Sequence, residues 1–177
     1  MDENWNKNKL AGNSAEKIVE FLINSMPDWK CNEFGVETHI KDIKDMVGKI
    51  VNPITIKIRK MPDFVVFNEK TGETFFAEVK YSSQSKGEGY LFPHLENYNE
   101  YWKGTKLIIV RQNKPHFTWV DLEKVNDSMR KMKQIIGEWK ASWEFGEIEQ
   151  DIKTLFPNLK NTDIAEATKR IVPKEED

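Results

Sequence analysis

The sequence predicts an α/β domain in which a mixed central β-sheet is flanked by helices. Three observations lead to this class. Apolar residues recur at helical spacing over residues 13–25, which indicates an amphipathic helix. Two apolar runs at 63–67 and 74–81 flank a short polar stretch, which predicts a β-hairpin. A further apolar run at 106–110 predicts a buried strand that pairs with 116–120.

The other elements of the first half follow in chain order. Residues 1–12 are polar and predict a flexible N-terminal arm, and Pro27 ends the first helix. A strand is expected within 29–40, followed by a short helical or irregular excursion over 41–49. Isoleucines alternate with polar residues over 54–60, which predicts a half-buried strand.

The last third of the chain predicts a helical extension over 122–177. A narrow coiled-coil-like seam runs through residues 122–143, where apolar residues recur at alternating steps of three and four: Leu122, Val125, Met129, Met132, Ile136, Trp139 and Trp143. This extension is expected to pack on the core, residues 13–121, or to form a homodimer through the 122–143 helix. A second short helix is expected over 148–156, and Thr162 is expected to cap a third.

Three charged residues interrupt the predicted hairpin: Asp63, Glu78 and Lys80. If the turn centres on 70–71, Asp63 lies opposite Glu78. If it centres on 71–72, Asp63 lies opposite Lys80. In both registers the three side chains share one face, because residues i and i+2 of a strand point the same way. The sequence therefore predicts one cluster of two carboxylates and an ammonium.

The surroundings of this cluster are apolar on both strands, as in a central strand covered by helices. Two carboxylates in such a place repel each other, and Lys80 neutralises only half of their charge. The remaining negative charge on hard oxygens suits a divalent cation such as Mg²⁺. The alternative is that Glu78 and Lys80 lie on the solvated face of an edge strand and that Asp63 is only a turn residue.

Pro62-Asp63 followed by Glu78-Val79-Lys80 on the next strand resembles the signature of the PD-(D/E)xK nuclease superfamily. The resemblance covers roughly residues 10–120 and implies a restriction-endonuclease-like core of order αβββαβ. It also implies that Asp63, Glu78 and the Val79 carbonyl bind Mg²⁺, for which Mn²⁺ substitutes. Lys80 would orient or activate the attacking water.

Glu16 has two interpretations. Gly12-Asn-Ser-Ala-Glu16 resembles the opening of helix one in resolvase-like members of the superfamily, which implies that Glu16 joins the metal site as a catalytic residue. Asn13-x-x-Glu16 also resembles a capping box, in which the glutamate only reaches back to the cap amide. Both interpretations stay open from the sequence, and Glu20 is the substitute one turn later.

Candidate contacts to nucleic acid surround the predicted site. Basic residues precede Asp63, a small polar loop follows Lys80, and a helix that Pro93 opens comes next. The candidates are Lys57, Arg59, Lys60, Ser82, Gln84, Lys86, His94 and Tyr98. A solvated surface explains the basic residues equally well.

Length and composition bound these expectations. With 177 residues, 38% hydrophobic and 32% charged, the chain fits one globular domain. The polar N-terminus and the absence of a long apolar run lead us to expect a cytoplasmic, intracellular protein. The net charge is −2, so any contact with DNA must come from local basic patches. The single cysteine excludes an internal disulfide.

The sequence thus predicts a magnesium-dependent endonuclease or exonuclease that hydrolyses phosphodiester bonds of DNA. Structure-selective cleavage is one form of this activity. Two alternatives remain open at this point: a catalytically inactive module that binds nucleic acid or protein on the same fold, and a metal-dependent RNase.

Overall fold

The computed structural model describes residues 3–35, 49–83, 85–86 and 95–171. The helices are α1 (Glu3–Asn24), α2 (Pro53–Arg59), α3 (Leu95–Tyr101), α4 (Ile152–Leu155) and α5 (Asn161–Lys169). The strands are β1 (Trp29–Glu33), β2 (Phe64–Asn68), β3 (Thr74–Ser82), β4 (Lys106–Arg111), β5 (Phe117–Asp121), β6 (Arg130–Ile135), β7 (Glu138–Trp143) and β8 (Gln150–Asp151).

A mixed six-stranded sheet in the order β1-β2-β3-β4-β5-β8 forms the centre of the fold. Strands β3 and β4 are parallel and the other neighbours are antiparallel. The parallel pair needs a crossover connection, and α3 lies within that connection. The predicted α/β class with a mixed, helix-flanked sheet is confirmed, as is the pairing of β4 with β5.

Helix α1 covers one face of the sheet. Its apolar stripe, which the sequence predicted, is buried in a core cluster: Ala15, Ile18, Val19, Leu22 and Met26. The same cluster contains Phe64, Val66, Ala77 and Val79 from β2 and β3. A second cluster, which includes Tyr98 of α3, Leu107 and Ile109, covers the opposite face. The sheet is therefore packed on both sides, and the side of each strand residue decides which cluster it joins.

The register of the β2–β3 hairpin is the first of the two predicted ones. Phe64 pairs with Ala77 and Phe67 with Thr74, so the pairing continues to Asp63 opposite Glu78. The Asn68 side chain accepts hydrogen bonds from the backbone amides of Lys70 and Thr71, both at 2.9 Å. These two bonds hold the turn closed at the centre that this register requires.

Helix α1 begins earlier than the sequence suggested. It starts at Glu3 rather than near residue 13, so the prediction of a flexible arm over 1–12 is wrong for residues 3–12. Polarity indicates exposure to solvent rather than the absence of a helix, and this stretch contains good helix formers and no proline. Asn13 and Ser14 consequently lie inside the helix and cannot cap it.

The predicted strand over 54–60 is also wrong, because this segment forms α2. Asn52 and Thr55 build a reciprocal capping box, in which each side chain accepts the other residue's amide at 2.9 Å, and Pro53 occupies the first turn. The alternating isoleucines do not mark a buried face, since Ile54 is 70% exposed. The capping box and the proline therefore decided the local structure, rather than the two-residue spacing of the isoleucines.

The predicted helix over 122–143 is wrong as well. Two 3₁₀ turns, Leu122–Lys124 and Asp127–Met129, are capped by the side chains of Asp121 and Asn126, and β6 and β7 then form a separate two-stranded sheet. Ile136 and Gly137 have φ of 51° and 79°, values that close a tight two-residue hairpin. A homodimer through a 122–143 helix therefore has no helix to use.

The remaining predictions are confirmed in part. The strand expected within 29–40 is β1, which ends at Glu33, whereas the excursion predicted over 41–49 lies almost entirely outside the described residues. Only Ile152–Leu155 of the second short helix is helical, because β8 precedes it. The third helix is present as α5, with Lys160 rather than Thr162 at its N-cap.

A buried polar network joins β8 to the rest of the sheet. The Arg111 guanidinium pairs with the Glu149 carboxylate at 2.6 Å, and the Thr118 hydroxyl donates to the same carboxylate at 2.6 Å. All three residues are almost completely buried. Because every charge in the network has a partner, it anchors the short edge strand without leaving an uncompensated charge.

None of the helices described here is both long and apolar enough to cross a bilayer.

Candidate active site

Asp63 is held rigidly where the chain enters β2. Its backbone carbonyl accepts hydrogen bonds from the amides of Phe34 at 2.8 Å and Gly35 at 3.2 Å. Its carboxylate oxygen Oδ2 accepts the backbone N–H of Val79 at 2.7 Å. Main chain and side chain are thus both anchored, and the carboxylate is fixed against β3.

Pro62 explains why Val79 is available to the site. Continuing the β2–β3 register places Pro62 opposite Val79, where a strand residue would normally exchange two backbone hydrogen bonds. Proline has no N–H, so it cannot donate to the Val79 carbonyl. The Val79 carbonyl accepts from the Lys80 ammonium at 3.2 Å instead, and the Val79 amide donates to the Asp63 side chain.

Glu78 lies beside Asp63 in an enclosed position. The residue is only 5% exposed, and its Oε1 forms an ion pair with Lys80. Its other oxygen, Oε2, has no hydrogen-bond partner of good geometry among the described residues. The Tyr98 hydroxyl forms a hydrogen bond with Glu78, and the pKa of Tyr98 is raised first by burial and then by the charge of Glu78 and this hydrogen bond.

Lys80 bridges the buried cluster and the solvent. Its Nζ pairs with Glu78 and donates to the Val79 carbonyl at 3.2 Å, while 38% of its side chain remains exposed. The ammonium can therefore contact a molecule that approaches from solvent while it stays near Glu78. Asp63, Glu78 and Lys80 are brought together on one face, as the sequence predicted.

The electrostatic consequence is a strongly shifted carboxyl group. The pKa of Asp63 is raised to about 8, first by burial and next by the negative charge of Glu78. Glu16 raises it further, whereas Lys80 and the Val79 amide lower it. Two neighbouring carboxylates facing one lysine therefore favour the protonated form of Asp63, and a divalent cation would favour the ionised form.

Glu16 lies on α1 and acts on Asp63 by its charge. It is half-buried well inside the helix, so the capping-box interpretation is wrong. Within the part of the chain that the structure describes, no group of three or more His, Cys, Asp or Glu side chains is close enough to hold a metal ion. Glu16 is thus an electrostatic neighbour of Asp63 and does not complete a three-carboxylate cluster in this arrangement.

The donor atoms at the site suit a small hard cation. Asp63 supplies a carboxylate, Glu78 supplies a second, enclosed carboxylate, and Val79 supplies a carbonyl beside the Lys80 ammonium. Mg²⁺ prefers oxygen ligands, is held by one or two carboxylates, and retains several waters. Two carboxylates and a carbonyl therefore fit Mg²⁺ or Mn²⁺ better than a metal that demands nitrogen or sulfur.

Several residues predicted to contact nucleic acid make other contacts or are buried in the structure. The Lys57 ammonium lies 5.4 Å from the Trp102 ring centre, and Arg59 donates to the Ile50 carbonyl at 2.8 Å. Ser82 is buried at the end of β3 and Tyr98 is buried beside Glu78, so neither lies on a substrate surface. Lys60 is half-buried and Lys86 is exposed, while Gln84 and His94 lie outside the described residues.

Sequence reasoning missed two features of the site. The Phe34 and Gly35 amides hold Asp63 from the end of β1, and no local pattern indicates a contact across so many residues. Tyr98 was considered a contact to nucleic acid, but it covers Glu78 from α3. The proline before Asp63 was the one sequence signal that no backbone amide opposite Val79 donates to its carbonyl.

The raised pKa of Asp63 makes the stability of the metal-free protein depend on pH. The folded state holds a proton on Asp63 up to a pKa of about 8, whereas the unfolded state releases it near 3.8. Stability should therefore fall as pH rises through this window. In EDTA, urea unfolding at pH 5.5 and pH 8.5 gives the free energy of unfolding of Asp63→Asn and of the wild type. The variant's value minus the wild-type value should increase by at least about 1 kcal/mol from pH 5.5 to pH 8.5.

The control for this measurement is the exposed turn residue Glu73. Glu73→Gln should change stability equally at both pH values. An Asp63→Asn protein whose stability runs parallel to that of the wild type between the two pH values would contradict the assigned environment of Asp63.

The comparisons with known proteins add no assignment to this geometry. The chain matches none of the protein-family models, none of the curated proteins and none of the solved structures with which it was compared. The function must therefore be inferred from the residues of the site itself.

Proposed function

We propose that this chain is a metal-dependent nuclease of the PD-(D/E)xK type that hydrolyses phosphodiester bonds of DNA. One observation carries the proposal: the carboxylates of Asp63 and buried Glu78 lie side by side, and among the described residues the Lys80 ammonium is the positive charge that faces them. Two neighbouring carboxylates with one ammonium are costly to bury, and a bound divalent cation is one of the few reasons for keeping them.

The order of elements supports the same proposal. The sequence α1, β1, β2, β3, α3, β4 matches the core order αβββαβ of the restriction-endonuclease-like fold, with α2 placed between β1 and β2. In this order the acidic residues lie on the two adjacent strands of a hairpin at the centre of the sheet. Fold likeness alone does not imply activity, whereas the paired carboxylates of the site have a chemical use.

In this proposal Asp63, Glu78 and the Val79 carbonyl would hold Mg²⁺, for which Mn²⁺ would substitute. The ion would supply Lewis acidity at the phosphoryl group and a more acidic bound water. The chain's own groups do the positioning: the Val79 amide orients the Asp63 carboxylate, and burial under Tyr98 keeps Glu78 away from bulk water.

Lys80 has the second chemical role. Its ammonium is tied to Glu78 yet partly exposed, so it can donate a hydrogen bond to the attacking water or to a phosphoryl oxygen. Such a fixed positive charge stabilises the negative charge that develops at phosphorus in the transition state. The ion pair with Glu78 also holds the ammonium in place.

Removing either carboxylate charge should abolish cleavage. Asp63→Asn and Glu78→Gln keep the size of the side chains, so the fold should persist while the cation affinity is lost. The assay follows labelled linear, nicked and four-way-junction DNA, with RNA alongside, in Mg²⁺ or Mn²⁺. Glu73→Gln, an exposed carboxylate on the β2–β3 turn, is the matched control and should cut normally. Near wild-type cleavage by Asp63→Asn would refute the proposal.

Lys80→Ala should lower the rate of cleavage about 10²-fold to 10³-fold, as expected for loss of one group that stabilises transition-state charge. Lys70→Ala, which removes an exposed lysine from the same hairpin, should leave the rate unchanged. Single-turnover kinetics at saturating DNA separate this loss from weaker binding. A loss that appears only below saturation would assign Lys80 to substrate binding instead.

Glu16→Gln should lower cleavage about 10-fold to 100-fold, the usual effect of a partner that tunes a metal ligand from outside the coordination shell. The melting temperature should not fall, because Glu16 is not a cap and its charge disfavours ionised Asp63. Titration of Mg²⁺ should show a changed metal requirement. An unchanged rate and metal requirement would exclude Glu16 from the site.

A further inference from the structure

The β6–β7 hairpin, residues 130–143, is a separate ribbon attached beside the site. Its strands pair only with each other among the described strands. Its base is anchored, since Trp143 and Phe145 join the apolar cluster that also contains Tyr98, and the Glu144 amide donates to the Met129 carbonyl at 3.0 Å. The hairpin thus arises from the sheet face that carries Glu78 and Lys80.

One face of this ribbon is cationic. Lys133 pairs directly with Lys140 in the register, and Lys131 lies two residues before Lys133 on the same face. Like charges directly opposite each other destabilise a hairpin. The nearby carboxylates compensate weakly, since Glu144 is 3.9 Å from Lys131 and Glu138 is 3.8 Å from Lys140 on an exposed surface.

The charge of the hairpin contrasts with that of the whole chain. Residues 130–143 contain four basic side chains and one acidic side chain, whereas the chain carries a net charge of −2. A concentration of positive charge on an exposed ribbon of an otherwise acidic protein fits a polyanionic partner. Such a partner would relieve the repulsion between Lys133 and Lys140.

The tip of the hairpin is unusual in a second way. Ile136 has a φ of 51° and is 99% exposed. A β-branched residue at positive φ is strained, and tight hairpin turns prefer Asn, Asp or Gly at this position. An exposed apolar residue kept in a strained position indicates a use at that point.

We propose that the β6–β7 hairpin is a nucleic-acid-binding arm. Its cationic face contacts the phosphates of duplex DNA, and its Ile136 tip makes apolar contact within a groove. This inference rests on the proposed nuclease function and names the element that holds the substrate. The major groove of B-DNA admits a two-stranded β-ribbon, and apolar side chains at the tips of DNA-binding elements insert between base steps.

A second copy of the chain is the competing partner. Trp139, which is 64% exposed, and Met132 lie on the face opposite the lysines and could pack against another hairpin. Duplex DNA is favoured because the lysine face carries an excess of positive charge, with Lys133 directly opposite Lys140, whereas the apolar face offers no charge to a polyanion. Self-association is therefore an outcome of the test rather than part of the proposal.

The main test measures binding of a fluorescent 20-base-pair duplex by anisotropy in EDTA between 50 and 200 mM salt. Lys133→Ala/Lys140→Ala should weaken binding about tenfold or more and lower the slope of log affinity against log salt by about 1 to 2. The control Lys70→Ala/Lys114→Ala removes two exposed lysines from other turns and should bind normally. The hairpin variant should melt no lower than the wild type, because it loses a repulsion.

Ile136→Asn tests the tip independently. An Asn-Gly pair is the preferred sequence for this turn, so the variant should be at least as stable as the wild type. It should still bind the duplex several-fold more weakly, because the apolar contact is lost. Higher stability combined with unchanged affinity would remove the tip from the proposal.

The outcomes separate this inference from the proposed function. Hairpin variants with wild-type affinity and salt slope, alongside cleavage that depends on Asp63, would overturn the arm and leave the nuclease. Duplex binding that depends on the hairpin, without any cleavage, would support the arm and overturn the nuclease function. A wild-type chain that does not bind the duplex would also overturn the arm. Sedimentation showing a dimer that Trp139→Glu dissociates, together with wild-type DNA affinity and salt slope for Lys133→Ala/Lys140→Ala, would overturn the arm and assign the hairpin to self-association.

Discussion

The hydrogen bond from the Val79 amide to the Asp63 carboxylate is the constraint on which the site depends. It forms where Pro62, opposite Val79 in the continued register, has no N–H to donate to the Val79 carbonyl, so a regular pair of backbone hydrogen bonds cannot form there. The Val79 carbonyl accepts from the Lys80 ammonium instead, and the register places Asp63 beside Glu78. A single imino acid thus turns the end of a regular hairpin into a cluster of oxygen atoms, at the cost of one backbone hydrogen bond.

The cluster keeps charges that the fold itself does not need. Burial and the neighbouring carboxylate raise the pKa of Asp63 to about 8, and Lys80 offsets only part of the repulsion. By contrast, the Arg111–Glu149–Thr118 network is more deeply buried but has a partner for each charge, and it serves to hold an edge strand. This difference distinguishes a structural ion pair from a candidate site: in one the charges are balanced, and in the other two carboxylates face one ammonium.

The two faces of the sheet differ: one packs the main apolar core and the other carries the candidate site. The face under α1 is a continuous apolar core that includes Phe64, Val66 and Ala77 and ends with α5. The opposite face carries Glu78 and Lys80, and it is covered by α3 and by the base of the β6–β7 hairpin. Because Tyr98 and Trp143 belong to one apolar cluster, the elements that cover the site and the element that we propose to hold DNA are parts of the same packing unit.

The sequence by itself determined the α/β class, the stripe of α1 and the shared face of Asp63, Glu78 and Lys80, because strand periodicity holds in either register. It could not choose between those registers, since the choice depends on how Asn68 closes the turn. It also misplaced the segments 54–60 and 122–143, where regular apolar spacing suggested a strand and a helix but the deciding signals were side-chain caps and a two-residue turn. Only the tertiary structure decided that Phe34 and Gly35 hold Asp63 and that Tyr98 covers Glu78, because these contacts join residues far apart in the chain and leave no local pattern.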